Sequence, residues 1–491
     1  MSTMSIGEAI AWLAQQAPER TAITDPRRSV TRQELHLRTN RLARAYRELG
    51  VGQDDFVTVA LPNGIGFYEA CIATWKLGAT PQPISAKLPA VERHAIIELA
   101  RPKLVVGSED VGEAPTRALA ADFEPDPALD DSDMPYPAAN SWKAPTSGGS
   151  TGRPKIIVAK QKGVTDPERT AMALTQLVPG PLYHNAPFMF SMQSLFAGGE
   201  LIVMRRFDAE EALQLIEKHR VEYVLLVPTM MHRIWRLGQS VRERYDVSSI
   251  KRILHLGAPC PPWLKEVWIE WLGPEKINEL YAGTEAQVAT VISGSEWLEH
   301  RGSVGKVRGG GQIKIFDADG KELPPGEVGE VFMLPAKGQG STYSYIGAQA
   351  KSRDGWESLG DMGYLDQDGY LYLADRQTDM ILSGGANVYP AEVEAAIDAH
   401  PTVRSSAAIG LPDDDLGQRV HAIVDIADSP EGAVDDASLA AFLGDRLARY
   451  KIPRSFEFVR EPVRDDAGKV RRSALRKARL TDDLTHGGKS T

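Results

Sequence analysis

From the start of the chain to about residue 375, the hydrophobic positions alternate between a helical spacing and short unbroken runs. In FDAEEALQLIEKHR the apolar residues recur every three or four positions, and Asp208 and Glu211 have capping-box spacing at its start. The next segment, VEYVLLVPT, contains the apolar run 224–227, which favours a strand buried on both faces. Helices that alternate with such strands predict a parallel α/β sheet.

A second strand of this kind, RILHLGAP, ends in the small residues Gly257, Ala258 and Pro259. Its carboxyl end therefore opens onto a loop at the edge where α/β sheets usually bind ligands. An ordinary turn has the same composition, so this segment alone leaves both interpretations open.

The pattern changes around residues 320–370, where short strands are separated by the turn signals DADG, LPPGEVGE and DQDG. After Arg376 come a helix starting at Pro390, the strands AAIGL and HAIVDI, the helix ASLAAFLGDRLARY and the strand SFEFV. About 100 residues of this mixture suffice for a separate α+β domain.

These patterns predict an α/β fold with a large amino-terminal domain of parallel α/β sheets and a β-rich subdomain, followed by a small carboxyl-terminal α+β domain. The expected boundaries are 1–375 for the large domain, 380–480 for the small domain and 481–491 for a flexible polar tail.

Composition narrows the class of partner. The 491 residues carry 56 Lys+Arg against 66 Asp+Glu, a net charge of -10, which predicts no nucleic-acid partner because no global positive field exists. The two cysteines, Cys71 and Cys260, lie far apart, which favours a cytoplasmic protein without a structural disulfide. The amino terminus lacks an export signal, and no apolar stretch reaches about 18 residues, so we expect no membrane span.

The segment TSGGSTGRPK is the strongest candidate for chemistry. Its glycines allow backbone N–H groups to turn around an anion, while hydroxyls add donors and Lys155 adds charge. It is not a Walker loop, because Arg153 and Pro154 separate the lysine from the last glycine. A Ser/Gly-rich linker is the usual alternative, but the hydroxyl density and the Lys after Pro favour a triphosphate site. The predicted phosphate-binding residues are Thr146, Ser147, Gly148, Gly149, Ser150, Thr151 and Lys155.

This loop closely resembles the signature loop of the adenylate-forming superfamily, which contains acyl-CoA synthetases, peptide-synthetase adenylation domains and luciferases. Other motifs follow in the family's order. Tyr281-Ala282-Gly283-Thr284-Glu285 resembles the YGxTE motif with Ala in place of the first Gly. The resemblance implies that Tyr281 stacks on adenine, that Thr284 binds a phosphate and that Glu285 holds Mg²⁺, for which a carboxylate is a suitable ligand.

The remaining nucleotide residues also follow from the resemblance. Asp361, in a segment similar to the TGD motif, would accept hydrogen bonds from the ribose, and Arg376 would contact ribose or phosphate. Gly257, Ala258, Pro259 and Ala282 complete the nucleotide site. The resemblance also implies that 376–379 is a hinge with Thr378 as its pivot, about which the small domain is mobile.

Two further motifs belong to the small domain. In SGGANVYPAEVE, Gly384 and Gly385 would line the tunnel for the pantetheine arm of coenzyme A, since only a backbone without side chains lets that arm pass. Lys469 matches the lysine of the terminal PRTxxGK motif, although Val463 replaces the usual Pro and Asp465 and Asp466 add negative charge. This lysine would bridge the substrate carboxylate and the α-phosphate.

The segment Pro181–His184 is similar to the PLxH segment of acyl- and aryl-CoA ligases, whose His gates the acyl pocket. The predicted pocket also includes Asn185, Ala186, Phe188, Met189 and Gly283. These residues offer no carboxylate to pair with an ammonium group, which disfavours an amino acid substrate. The small Ala282 and Gly283 suggest room for a bulky alicyclic or aromatic acid.

The resemblance implies an AMP-forming acyl-CoA synthetase that uses ATP, Mg²⁺ and coenzyme A, with Lys469, Thr284, Glu285 and His184 as catalytic residues. Three alternatives remain open: an enzyme that loads a carrier protein, a partial ligase that performs only thioester formation, and a catalytically silent nucleotide-binding relative. The sequence leaves the oligomeric state open, with a homodimer as one option.

Overall fold

The computed structural model describes residues 3–148, 154–376, 379–383, 386–413, 415–426, 434–465 and 468–486. The first part of the chain alternates helices with short strands. Helices α1 and α2 begin with reciprocal capping boxes, Ser5 with Glu8 and Thr31 with Glu34. The elements are β1 Met4–Ser5, α1 Ile6–Gln16, β2 Thr21–Thr24, β3 Ser29–Thr31, α2 Arg32–Glu48, β4 Phe56–Val59, α3 Ile65–Lys76, β5 Thr80–Pro83, α4 Ala90–Ala100, β6 Leu104–Val106 and β7 Arg117–Leu119.

The second part contains the predicted parallel strands. The segment FDAEEALQLIEKHR forms α6, and the Asp208 carboxylate accepts hydrogen bonds from the backbone N–H groups of Glu210 and Glu211 at 3.1 and 2.9 Å. The elements are β8 Thr146–Gly148, β9 Pro154–Ala159, β10 Val164–Thr165, β11 Gln176–Val178, α5 Asn185–Phe196, β12 Leu201–Val203, α6 Ala209–His219, β13 Tyr223–Leu226, α7 Pro228–Trp235, α8 Gln239–Arg242, β14 Arg252–His255, α9 Pro262–Leu272, β15 Ile277–Ala282, β16 Ala289–Ser293, α10 Gly294–Glu299 and β17 Ser303–Arg308.

The predicted β-rich region consists of antiparallel strands joined by tight turns. Its elements are β18 Gln312–Phe316, β19 Gly329–Leu334, β20 Tyr343–Ile346, β21 Lys351–Arg353, β22 Trp356–Leu365 and β23 Leu371–Arg376. The small domain follows with β24 Ile381–Ser383, β25 Ala386–Val388, α11 Pro390–Asp398, β26 Val403–Asp413, β27 Gly417–Ile426, α12 Asp436–Gly444, β28 Ser455–Val459 and α13 Arg472–His486. Short 3-10 turns lie at Thr170–Met172, Pro274–Lys276 and Arg449–Lys451.

One 14-stranded sheet runs through most of the large domain, in the order β18-β19-β22-β23-β17-β16-β15-β14-β13-β11-β12-β2-β3, with β21 beside β22. Its strands from β15 to β2 are parallel, as predicted, and β13 is buried along its whole length. Except for β20, the β-rich strands continue this sheet in antiparallel register instead of forming a sheet of their own.

Two further sheets support the large domain. Strands β5-β4-β6-β7 form a four-stranded parallel sheet, and β20-β9-β8 form a three-stranded antiparallel sheet. The second of these places the strands around the phosphate loop beside Tyr345, because Tyr345 pairs with Ile157. A residue far along the chain is thereby brought next to Lys155.

The small domain has its own sheet and its own core. Its strands follow the order β25-β24-β27-β26, with β28 parallel to β27. Residues such as Val393, Ile397, Leu439 and Leu443 are fully buried against that sheet. A unit with a separate apolar core can move without unpacking its interior.

Two boundaries differ from the sequence prediction. The helix expected over 437–450 ends at Gly444, where the Arg446 guanidinium donates to the carbonyl oxygen of Phe442 at 2.9 Å. Glycine is a poor helix former, and a basic side chain that binds the last carbonyls ends the helix. Helix α13 continues to His486, six residues beyond the expected domain end at 480.

Candidate active site

The described edges of the predicted phosphate loop lie near the turn that follows β15, since the Lys155 ammonium is 3.2 Å from Glu285 Oε1. The region around these residues is called the cleft below. Gly149, Ser150 and Thr151 lie outside the described residues, and the side chains of Ser147 and Arg376 are likewise not described. The described edges of the loop include Thr146 and Lys155, which lie on the antiparallel strands β8 and β9, where Thr146 pairs with Ile156, the residue after Lys155.

Thr146 is held by a buried polar relay. The Gln82 amide donates to the Thr146 hydroxyl oxygen at 2.8 Å, and the Thr58 hydroxyl donates to the Gln82 side-chain oxygen. Thr58 and Gln82 are both completely buried. Buried polar groups that satisfy one another fix a unique geometry, so the first residue of the loop has a defined position before any ligand arrives.

Lys155 and Glu285 meet in this cleft. The Lys155 ammonium lies 3.2 Å from Glu285 Oε1 and donates to the Tyr345 hydroxyl oxygen at 2.9 Å. Tyr345 in turn donates to Glu285 Oε1 at 2.6 Å. The Glu285 carboxylate raises the pKa of the Tyr345 hydroxyl, in addition to the larger effect of burial. Glu285 itself is only 5% exposed, so its pairing with a cation offsets the cost of burying its charge.

A tight turn presents Thr284 and Glu285 to the cleft. The Ala286 N–H donates to the Gly283 carbonyl oxygen at 3.1 Å, and Ala286 has a left-handed φ of 53°. A Cβ on Gly283 would overlap Leu359 and would lie 3.0 Å from Glu285 Oε2. Glycine is therefore required here for packing, and its small size does not argue for a bulky acid.

The expected adenosine residues form a second pair. Tyr281, near the end of β15, donates to Asp361 Oδ2 at 2.6 Å, and Asp361 lies in β22. Ala282, Gly257 and Pro259 are exposed at the same edge of the sheet, and Ala258 is half-buried. The structure thus brings the predicted nucleotide residues that it describes to one end of the central sheet.

The predicted acyl side of the cleft lies at the start of α5. His184 is the N-cap residue of this helix, and its Nε2 atom is buried and has no hydrogen-bond partner among the described residues. Burial lowers the pKa of His184 to about 3, and the nearby charge of Lys469 lowers it further. His184 is therefore neutral at physiological pH, with one ring nitrogen able to accept a proton.

The other predicted pocket residues lie at different depths. Asn185, Ala186 and Met189 are half-buried, whereas Phe188 is 1% exposed and packs against Trp75, Trp142 and Phe67. The Phe188 ring therefore belongs to the core below the helix, and a direct role in the pocket stays a prediction.

Lys469 reaches the same region from the small domain. The Asp465 carboxylate accepts a hydrogen bond from the Lys469 backbone N–H at 2.9 Å, and Arg464 donates to the Gly468 carbonyl oxygen at 3.2 Å. Gly468 has a φ of 74° and lies against Thr229, where a Cβ would be 2.6 Å from Thr229 Oγ1. Glycine is thus needed where the lysine loop docks on α7.

The contact between the domains also includes Arg236. Its guanidinium donates to the His400 carbonyl oxygen at 2.7 Å and to the Pro401 carbonyl oxygen, and its Nε donates to His232 Nε2 at 2.9 Å. Burial, followed by the charge of Arg236, lowers the pKa of His232 to about 3, which leaves it neutral and able to accept.

Several residues at the site carry no sequence motif. Tyr345, Gln82, Thr229 and Lys143 all contact or approach the predicted residues, but nothing in their local sequence marks them.

The predicted tunnel glycines Gly384 and Gly385 and the pivot Thr378 lie outside the described residues. In the described part of the chain, no three His, Cys, Asp or Glu side chains gather as a metal-binding group, and no helix is long and apolar enough to cross a bilayer.

Comparisons with known proteins agree with this architecture. The family model described as AMP-binding enzyme matches residues 10–341, and the AMP-binding enzyme C-terminal domain matches 392–469. A 2-succinylbenzoate–CoA ligase from Bacillus licheniformis is 31% identical, over 94% of this chain and 98% of the relative. A fatty acid–[acyl-carrier-protein] ligase from Streptomyces coeruleorubidus is 29% identical, over 94% of each chain.

Among solved structures, the o-succinylbenzoate CoA synthetase from Bacillus subtilis in complex with its acyl-adenylate intermediate is similar, with a TM-score of 0.80 and 25% identity over 97% of this chain and 99% of that chain. The family models thus match both domains of the chain, and the relatives align with nearly its whole length. The chain therefore belongs to the adenylate-forming superfamily, in its acyl-CoA synthetase family of AMP-dependent synthetases and ligases.

Proposed function

We propose that this chain uses ATP to join a carboxylic acid to coenzyme A through an acyl-adenylate. The observation that carries the proposal is the ion pair of Lys155 and Glu285 at 3.2 Å, together with the docking of the Lys469 loop on the large domain, where Gly468 lies against Thr229. Cations on both sides of one cleft suit a reaction in which negative charge develops on a phosphate.

In the first step, a carboxylate oxygen of the acid attacks the α-phosphorus of ATP, and the bond to the bridging oxygen of pyrophosphate breaks. Lys469 binds the attacking carboxylate and the α-phosphate, while Lys155 and Thr284 bind the phosphate chain. Glu285 would hold Mg²⁺, and the ion would supply neutralisation of the phosphate charge. A single carboxylate fits this ion, because Mg²⁺ usually takes its other ligands from phosphate oxygens and water.

In the second step, the sulfur of coenzyme A attacks the acyl carbon, and AMP leaves with the electron pair of the broken C–O bond. The small domain rotates about Thr378 between the steps, so that the Gly384–Gly385 region replaces Lys469. The separate apolar core of that domain supports this motion.

The acid is the least constrained part of the proposal. Relatives named for 2-succinylbenzoate and ferulate support an aromatic acid. An enzyme that loads a carrier protein is the second candidate, because one relative is named for that acceptor.

A screen of aryl, alicyclic, short-chain and fatty acids tests the proposal. We expect acid-dependent exchange of pyrophosphate into ATP, and thioester formation when coenzyme A is added. Exchange followed by transfer to a carrier domain but not to coenzyme A would favour the second candidate. Thioester formation from supplied acyl-adenylates without exchange would favour the partial ligase, and neither reaction with any acid would contradict the proposal.

A further inference from the structure

Lys143 is a charged residue inside the large domain that the proposed reaction does not use. It lies before β8, is only 3% exposed, and its carbonyl oxygen accepts hydrogen bonds from the Ala159 N–H at 3.1 Å and the Ser141 hydroxyl at 3.0 Å. The backbone thus fixes where its side chain starts. A buried ammonium is costly unless other groups compensate for the lost water.

The Lys143 ammonium ends between the acyl and phosphate sides of the cleft. It donates to Asn185 Oδ1 at the start of α5, lies 5.0 Å from the centre of the Trp142 ring, and feels the charge of Glu285. Burial outweighs that favourable charge and lowers the pKa of Lys143 to about 7. The favourable charge of Glu285 therefore compensates only in part for the cost of burying the Lys143 ammonium at this site.

A second buried lysine shows what a structural role looks like in this fold. The Lys76 ammonium is completely buried and donates to His36 Nδ1, the His36 carbonyl oxygen and Asn40 Oδ1, at 3.1, 2.9 and 2.6 Å. All three of its N–H donors have acceptors. Among the described residues, Lys143 has one hydrogen-bond acceptor, Asn185.

The contact also determines how the Asn185 amide is oriented. An ammonium can only donate, so the amide oxygen must face Lys143 and the NH₂ group must point elsewhere. Within the described part of the chain, Asn185 Nδ2 has no hydrogen-bond acceptor, and the residue is half-buried beside His184. A donor held in this way remains available to a ligand in the acyl half of the cleft.

We propose that Lys143 is a positioning residue which turns the Asn185 amide so that its NH₂ group recognises an acceptor oxygen on the acyl part of the substrate. This inference rests on the proposed function. It assigns the substrate to carboxylic acids that carry a hydroxyl, oxo, ether or second carboxylate oxygen beyond the group that is activated.

The test uses pairs of acids from the screen that differ only in one such oxygen, and compares kcat/KM for adenylation within each pair. Wild type should prefer the oxygen-bearing acid of at least one pair by about tenfold or more, since the acid that lacks the oxygen leaves the Asn185 NH₂ group unpaired in the site. Lys143→Met should bring that ratio close to one by raising KM for the oxygen-bearing acid, with KM for ATP unchanged.

Three matched variants make the result specific. Asn185→Leu should lose the same preference, and the double variant should lose no more than either single variant, because Lys143 acts through Asn185. Lys143→Arg should keep part of the preference for the oxygen-bearing acid that Lys143→Met loses. Lys76→Met should lower the melting temperature without changing the ratio of the two acids.

Equal losses for both acids of the pair in Lys143→Met would overturn the inference, and so would additive effects in the double variant. A wild type that adenylates acids without any preference for the added oxygen would also overturn it. Failure to adenylate any acid would instead contradict the proposed function, so the two failures are distinguishable.

Discussion

The two sides of the active site are built in different ways. On the large-domain side, Lys155, Glu285 and Tyr345 form a closed set of contacts of 3.2 Å or less between elements of two sheets. On the small-domain side, Lys469 lies on a turn closed by Asp465 and docked against Thr229. The first side is fixed by the fold, whereas the second is delivered by a unit with its own core.

Because of this difference, we expect substitutions on the two sides to affect different steps of the proposed reaction. Disturbing the large-domain side should damage every reaction that needs bound nucleotide. Disturbing the small-domain side should damage the step for which that domain is docked as in this structure, which we propose is adenylation. Assays of the separate half-reactions can therefore distinguish the two sides.

The largest expected effect comes from Lys469→Ala. Adenylation should fall about 1000-fold, because the cation proposed to bind both reacting groups is lost. Thioester formation from a supplied acyl-adenylate should stay within about twofold of wild type. Pyrophosphate exchange and thioester release measure the two steps, and Lys451→Ala, which removes an exposed cation paired with Glu392 in the same domain, is the control. Equal losses in both steps would contradict the assignment of this lysine to one step.

Glu285→Gln should reduce adenylation about 100-fold, because it removes the buried charge paired with Lys155 and proposed to hold Mg²⁺. The Mg²⁺ concentration that gives half-maximal rate should rise at the same time. Titration of Mg²⁺ in the exchange assay checks this. Glu322→Gln, at an exposed pair with Lys314, should leave both values unchanged. An unaltered Mg²⁺ dependence in Glu285→Gln would exclude this carboxylate as the ligand.

Arg236→Ala should reduce adenylation about fivefold, since hydrogen bonds to the carbonyl oxygens of His400 and Pro401 across the domains would be lost. The rate of thioester formation from supplied adenylate should not fall. Arg244→Ala, which removes an exposed partner of Glu210, serves as the control in rapid-quench measurements of each step. A fall in both steps would show that Arg236 does not act through domain docking.

The smallest expected effect concerns Asp398 in the small domain. Burial raises the pKa of Asp398 to about 6, although Arg464 and a hydrogen bond from Ser406 oppose that shift. The folded protein therefore holds a proton that the unfolded chain releases near pH 4, and stability falls as pH rises from about 4 to about 6. Asp398→Asn should flatten this part of the dependence, as measured by thermal melting across that range. The same pH dependence of the melting temperature in wild type and Asp398→Asn would contradict the raised pKa of Asp398.

Much of this architecture could be predicted because local patterns specify it. The apolar run 224–227 and the glycine-rich turns are sufficient for the parallel strands and the hairpins, and the structure places Lys155 and Glu285, which belong to two of the motifs, in contact. By contrast, Tyr345 reaches Glu285 only because β20 pairs with β9, which no local signal encodes. Phe188 is predicted as a pocket residue from its position in the sequence, but its side chain is buried in the core below the helix.

A crystal structure with Mg²⁺ and ATP tests the central claim most directly, namely that both sides act on one nucleotide. The account predicts phosphate oxygens within about 3 Å of the Lys155 ammonium and a metal ion bound between them and Glu285, with the Lys469 side chain directed at the α-phosphate. A nucleotide bound away from Lys155 and Glu285, or a Lys469 that faces no part of it in any domain arrangement, would contradict the account.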